Sequence, residues 1–304
     1  MKSSGIGGQA VLEGIMMKNQ EDYAVAVRKS DGEIAVTTSK YVSGRLFKSI
    51  KKVPFIRGVF NFIDSMILGV KTLMISASYF EDEEEEEEKN ETREKVIMAV
   101  TMVLSFGLAI SIFMVLPYFL ISLLKPFVVS YSVRTVIEGF IRIGIFVVYI
   151  LLVSRMKDIN RTFMYHGAEH KCINCIEHGL PLNVENVRKS SRQHKRCGTS
   201  FLFFVMAISI ILLLLIPVQS PVLRVIVRIA LIPVIAGISY EILRLAGNSN
   251  NVIVNLISKP GLLIQKLTTK EPDDSMIEVA IAAVEKVFDW RTYEEENFDL
   301  KRGV

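Results

Sequence analysis

Residues 96–124 contain no charged side chain, and neither do residues 199–223. A helix of about 20 apolar residues crosses ~30 Å of hydrocarbon, and in lipid its backbone satisfies its own hydrogen bonds. These two runs predict a mainly α, multi-span membrane protein. Two weaker spans are expected beside them. Residues 133–153 include Arg134, Glu138 and Arg142, and residues 225–245 include Arg228, Pro233 and Glu241. Glu138 and Arg142 are spaced to pair on one helix face inside a bundle. Half of the residues are apolar and the mean hydropathy is +0.37, as a membrane chain requires. The first residues have no long apolar stretch of the kind a secretory leader needs.

The connection 154–198 holds nine Lys/Arg, whereas the loops at 125–132 and 217–223 hold only Lys125. The positive-inside rule therefore predicts a multi-pass protein of the cell membrane with 154–198 and both termini in the cytoplasm. The boundaries that follow are 1–53, a β-rich cytoplasmic region; 54–80, an amphipathic or membrane-associated helix; 81–95, an acidic linker; 96–153, a first transmembrane hairpin; 154–198; 199–246, a second hairpin; and 247–304, a cytoplasmic C-terminal region.

Within 1–53, Tyr23–Val27 and Glu33–Thr38 alternate around Asp31-Gly32, a hairpin signal. Gly5-Ile-Gly-Gly8 lacks the spacing of a dinucleotide loop; it reads either as a turn beside a short strand or as a loop closing over a site. Arg57, Asp64 and Lys71 recur every seven residues in an otherwise apolar stretch, a polar seam on one helix. Glu81–Glu88 is an acidic run that repels itself and reads as a linker. Ser275 and Glu278 suggest a capping box before a helix whose apolar residues need a partner, with the N-terminal sheet expected in that role. The tail from Trp290 is expected to fray.

All four histidines and all three cysteines lie between Tyr165 and Ser200. A helix from about 160 to 178 would place His166, His170 and Glu177 in one sector, with Glu169 at its edge and Cys172 and Cys175 on the opposite side. His166-Gly-Ala-Glu169-His170 matches the inverted zincin pattern H-x-x-E-H, in which two imidazoles a turn apart reach one zinc and the glutamate handles the proton. The third ligand is expected from His194 or Cys197, with Glu177 as the remaining candidate. The cofactor implied is a divalent metal, zinc first. Cys172-x-x-Cys175 as a redox pair lacks the surrounding βαβ pattern, and no basic stripe suggests nucleic acid. Lys171 and Arg196 are candidates for an anionic substrate group.

Gly7-Gly-Gln-Ala-Val-Leu-Glu-Gly-Ile-Met-Met17, Tyr165-His-Gly-Ala-Glu-His-Lys171, Val184-Glu-Asn-Val187, Arg196-Cys-Gly-Thr-Ser200 and Thr268-Thr-Lys-Glu-Pro-Asp-Asp274 together resemble the bacterial DUF1385 family. The resemblance implies a metal-dependent enzyme of the membrane and no particular substrate. It carries over to Gln9, Glu13, His166, Glu169, His170, Lys171, His194, Arg196, Cys197 and Thr199. Cys172 stands where a hydroxyl residue is expected and Lys195 where proline is expected, which makes Cys172 a poorer ligand and the turn before Cys197 less rigid.

The expected function is that of a hydrolase at the cytosolic membrane face. His166, His170 and either His194 or Cys197 would hold the metal, Glu169 would be the base and Glu13 a second acid. Lys171, Arg196, Thr199 and Gln9 would meet substrate. The rival is a membrane scaffold or assembly factor with a structural metal, bound to membrane proteins or to its own copies. A transporter using Glu138, Arg142, Arg228 and Glu241 is a third reading.

Overall fold

A computed structural model of the chain describes residues 2–42, 53–80, 91–124, 126–128, 130–218, 220–249 and 251–298. The acidic run and Lys125 lie outside the described residues. Four antiparallel strands come first: β1 (Gly7–Val11), β2 (Gly14–Asn19), β3 (Asp22–Arg28) and β4 (Ile34–Lys40), neighbours in chain order. The expected hairpin is β3–β4, in which Val27 faces Ala35 and Arg28 faces Ile34. The glycine-rich opening is the first strand of the same sheet and pairs with β2 from Gly7↔Lys18 to Val11↔Gly14.

Alternation along the strands sorts the sheet's two faces. Ile15, Met17 and Ala26 point into one core, and Val11, Met16, Tyr23, Val25 and Val27 into another. The first core is closed by α5 (Lys157–Glu177) and α10 (Asp274–Val287). The second is closed by α1 (Ile56–Ala77) through Leu68. With both faces covered, β2 and β3 read as nearly continuous apolar runs. Gly14 is required because a Cβ there would lie 2.2 Å from the carbonyl oxygen of Ala26 on β3.

The remaining helices are α2 (Glu91–Ile110), α3 (Leu116–Leu123), α4 (Tyr131–Val153), α6 (Val184–Lys189), α7 (Gly198–Leu215), α8 (Pro221–Asn248), α9 (Val252–Thr268) and α11 (Trp290–Phe298). A π-helical turn, Ser111–Val115, joins α2 to α3. Among the described residues, five segments are long and apolar enough to cross a membrane: Ile56–Phe80, Val96–Leu123, Tyr131–Val153, Gly198–Leu215 and Val222–Asn248. That is one more than the four expected, because the seam on α1 is sparse. Its members are all engaged: Arg57 grips Glu241 on α8 at 2.7 and 2.5 Å, the Tyr41 hydroxyl donates to Asp64, and Lys71 lies over the Tyr23 ring.

Two expectations at the C-terminus need correction. The cap of α10 is Asp273, whose carboxylate accepts the Met276 N–H and the Ser275 hydroxyl; the Ser275–Glu278 box does not form, because Asp273 starts the helix earlier. Glu278 pairs with Arg28 instead. Residues 290–298 also do not fray. They form α11, which buries Trp290, sets the Phe298 ring against Gly179 and donates the Tyr293 hydroxyl to the carbonyl of Lys2. The aromatic side chains supply the buried area that the acidic composition obscures.

Candidate metal centre

The helix expected over 160–178 runs from Lys157 to Glu177 and ends on Gly179, whose φ of +72° suits a left-handed cap. His166 and His170 sit one turn apart, with ring centroids 4.4 Å apart. Each imidazole turns one nitrogen toward a backbone carbonyl: His166 Nδ1 lies 3.0 Å from the oxygen of Thr268, and His170 Nδ1 lies 2.7 Å from that of Arg192. With the proton on Nδ1, Nε2 of each ring carries the free lone pair. The third member comes from the start of α7. Cys197 caps that helix, its sulfur accepts the Thr199 N–H at 3.4 Å, and it lies 3.3 Å from His166 Nε2. One donor atom from each of His166, His170 and Cys197 falls within 4.8 Å of the other two.

Burial disfavours the charged form of Cys197, but His166 and His170 outweigh it and hold the thiol well below its usual range. Burial likewise opposes the His166 cation, yet the neighbouring Cys197 and Glu169 raise that imidazole to about 9. Each partner thus favours the charged form of the other, which draws the sulfur toward the thiolate, the ligating form.

The donor chemistry suits zinc. Two imidazoles and a thiolate are borderline-to-soft ligands, which select against magnesium and calcium. Tetrahedral bonds of ~2.0–2.3 Å place donors ~3.3–3.8 Å apart, and Cys197 Sγ and His166 Nε2 are 3.3 Å apart.

His194 does not join this group. Its Nε2 faces Glu177 at 3.3 Å, and its backbone is clamped by Gln265 of α9, which accepts the His194 N–H and donates to its carbonyl. Glu177, the other candidate ligand, is fully buried between His194, Arg196 and the N–H and hydroxyl of Ser4. Burial would raise the Glu177 carboxyl, but these partners hold it at about 2. Its folded value is therefore depressed from 4.5. The stabilisation is fully present above about pH 4.5 and is lost as pH falls toward 2. Thermal unfolding of wild type against Glu177→Gln should converge over that interval, with a difference on the order of 2–3 kcal/mol at neutral pH.

Lys171 is buried and donates to the carbonyls of Arg188 and Ser190 while pairing with Glu271, so its ammonium fastens the loop to α5 and faces away from the cavity. Glu13, expected as a second acid, sits in the β1–β2 turn and is held by Arg161 at 2.5 Å; it too is absent from the cavity wall. Arg196 pairs with Glu177 and Ser3 yet still lines the cavity. Gln9 and Thr199 line it as well, and the Thr199 hydroxyl accepts from Thr268. Cys172 and Cys175 are buried in the core away from the histidines.

The cavity measures about 630 Å³ and lies between β1, α1, α5, α7 and α8. His166, Glu169 and Cys197 are on its wall, with Phe62, Phe201 and Leu202 forming an apolar side. Glu169 is nearly buried and has no hydrogen bond among the described residues. Two glycines make the close approach possible. A Cβ on Gly8 would fall 2.9 Å from Glu169 Cγ, and one on Gly167 would fall 2.0 Å from the Lys270 carbonyl oxygen.

Residues 53–290 match the family described as "Protein of unknown function (DUF1385)". The chain belongs to the DUF1385 family. It is also 38% identical over 300 residues to the "Uncharacterized protein YqhQ" of Bacillus subtilis (strain 168), covering 96% of this chain and 94% of that one. No solved structure matches the chain. Within this DUF1385 member, the sequence reading did not single out Thr268 and Gln265 for the roles they play. The signal was present: Val252–Thr268 alternates apolar and polar residues at helical spacing and ends on the Thr-Thr-Lys-Glu-Pro string.

Proposed function

We propose that the protein is a zinc-dependent hydrolase working at the cytosolic face of the cell membrane. The observation that carries this reading is the three-donor cluster of His166, His170 and Cys197 opening on a cavity that also exposes Glu169. Three protein ligands with a fourth position free is the pattern of catalytic zinc; closed sites use four. When bound, the metal supplies Lewis acidity toward water and toward a carbonyl or phosphoryl oxygen. Glu169, with no competing donor among the described residues, accepts the proton of the attacking water and returns it to the leaving group. Thr268 and Arg192 hold both imidazoles in the ligating tautomer. Arg196, fixed by Glu177, offers positive charge to an anionic substrate at the cavity wall.

Four spans are favoured over five. The end of α1 is engaged with the sheet through Leu68 and through Ser76, whose hydroxyl accepts the Leu12 N–H. Its start lies against Gly237 and Tyr240 of α8. A helix held at both ends in this way slants into the bundle from the sheet side. The sheet, the three-donor cluster and the C-terminal helices then share one face, and the Lys/Arg of 154–198 support a cytoplasmic placement of that face.

The test is metal analysis of purified wild type and Glu169→Gln. About one zinc per chain is expected in both, with hydrolysis of ester, amide or phosphoester probes lost by ~10²-fold or more in the variant. Loss of the metal in Glu169→Gln would make the glutamate a ligand and overturn its role as base. A closed four-ligand coordination sphere in the X-ray absorption spectrum would favour the scaffold reading.

A further inference from the structure

A second cavity, about 370 Å³, lies among the apolar helices and shares no charged residue with the metal centre. Its wall is Phe113, Phe146, Val205, Ile232 and similar side chains, broken at one pole by Arg142, Ser209 and Arg228. That pole is unbalanced in charge. Glu138 on α4 is buried and receives three guanidinium groups: Arg142 at 3.2 Å, Arg224 at 3.2 Å, and Arg228. One carboxylate against three arginines leaves an excess of two positive charges within a hydrocarbon-facing bundle.

Such an excess is costly. A buried ion is tolerated when paired, and charges inside membrane segments mark ligand or ion sites. Local acceptors soften the cost only in part. Arg142 also donates to Ser209, Arg224 to Thr135, and Arg228 to the carbonyl of Met114, while Arg224 lies over the rings of Tyr118 and Tyr131. The Nε groups of all three arginines remain buried without a partner among the described residues. Glu241 does not balance the cluster, because it is committed to Arg57.

We infer that this cavity binds a phosphate-headed lipid, its phosphate at Arg142 and Arg228 and its chain along the apolar wall. A phosphate monoester carries up to two negative charges and matches the excess, and guanidinium forks suit its geometry. The volume falls in the range of small-ligand sites, ~300–1,000 Å³, and suits one chain. The inference uses the membrane placement of these helices and does not depend on metal at His166.

The test is native mass spectrometry of the full-length protein released from zwitterionic nanodiscs doped with hexadecyl phosphate, with hexadecanol, or exposed to inorganic phosphate. Wild type is expected to retain one hexadecyl phosphate per chain and neither of the others. Arg142→Gln should lower that occupancy about tenfold. Val205→Phe, which fills the apolar part and leaves every charge in place, should do the same and serves if Arg142→Gln does not fold. Equal retention of the alcohol would reduce the site to an apolar void. Retention of inorganic phosphate alone would make it a plain anion site. Occupancy unchanged by Val205→Phe, or no retention at all, would overturn the proposal.

Discussion

Gly167→Ala is expected to destabilise the protein by about 3–4 kcal/mol and to reduce bound metal in whatever folded protein remains. The added methyl would stand 2.0 Å from the Lys270 carbonyl oxygen, a backbone atom that cannot rotate away. Lys270 is itself fixed, its N–H donating to the carbonyl of Phe163 on α5. Relief therefore requires the 268–272 segment to move off the helix. That segment supplies the Thr268 carbonyl that orients His166, so stability and metal content should fall together. Thermal unfolding and metal analysis on the same preparation check this. A variant that folds normally and binds a full complement of metal would contradict the close packing on which the site's assembly rests. In the H-x-x-E-H string, Gly167 thus reports the approach of a distant chain segment and has no part in the chemistry.

Cys197→Ala is expected to take zinc from about one per chain to below ~0.1, and to cost metal-free protein about 1 kcal/mol through loss of the α7 cap. Its sulfur is the one donor of the three outside α5, and its charged form is favoured by both imidazoles and by the Thr199 N–H at the start of α7. His194→Ala should keep its zinc while losing stability, because His194 serves Glu177 and Gln265. Metal analysis and unfolding midpoints of the two variants separate the assignments. Zinc loss in His194→Ala with retention in Cys197→Ala would reverse them.

The two preferred third-ligand candidates, His194 and Cys197, lie only three positions apart, and nothing local distinguishes them. His194 is drawn away by two partners remote in sequence, Glu177 and Gln265, whereas Cys197 is delivered by the cap of α7. For the same reason the sequence could suggest Lys171 and Glu13 as active groups. Both are charged residues beside plausible catalytic ones, and both are consumed by structural partners, Glu271 with two carbonyls and Arg161. The Glu138–Arg142 pair was visible as a four-residue spacing, but Arg224 and Arg228 come from another helix and change a neutral pair into a cationic pole.

Features that depend on short separations were legible in the chain alone. Uncharged runs set the apolar helices, alternation set β3 and β4, and the four-residue step placed two imidazoles on one face of α5. Their causes are backbone geometry and burial, which act within a few residues. Which donors meet, which charges are already spent, and that Trp290–Phe298 docks are set by long-range packing. Those outcomes depend on contacts between segments as far apart as Lys2 and Tyr293 or His166 and Thr268, because a side chain's availability depends on which remote partners the fold brings within bonding distance.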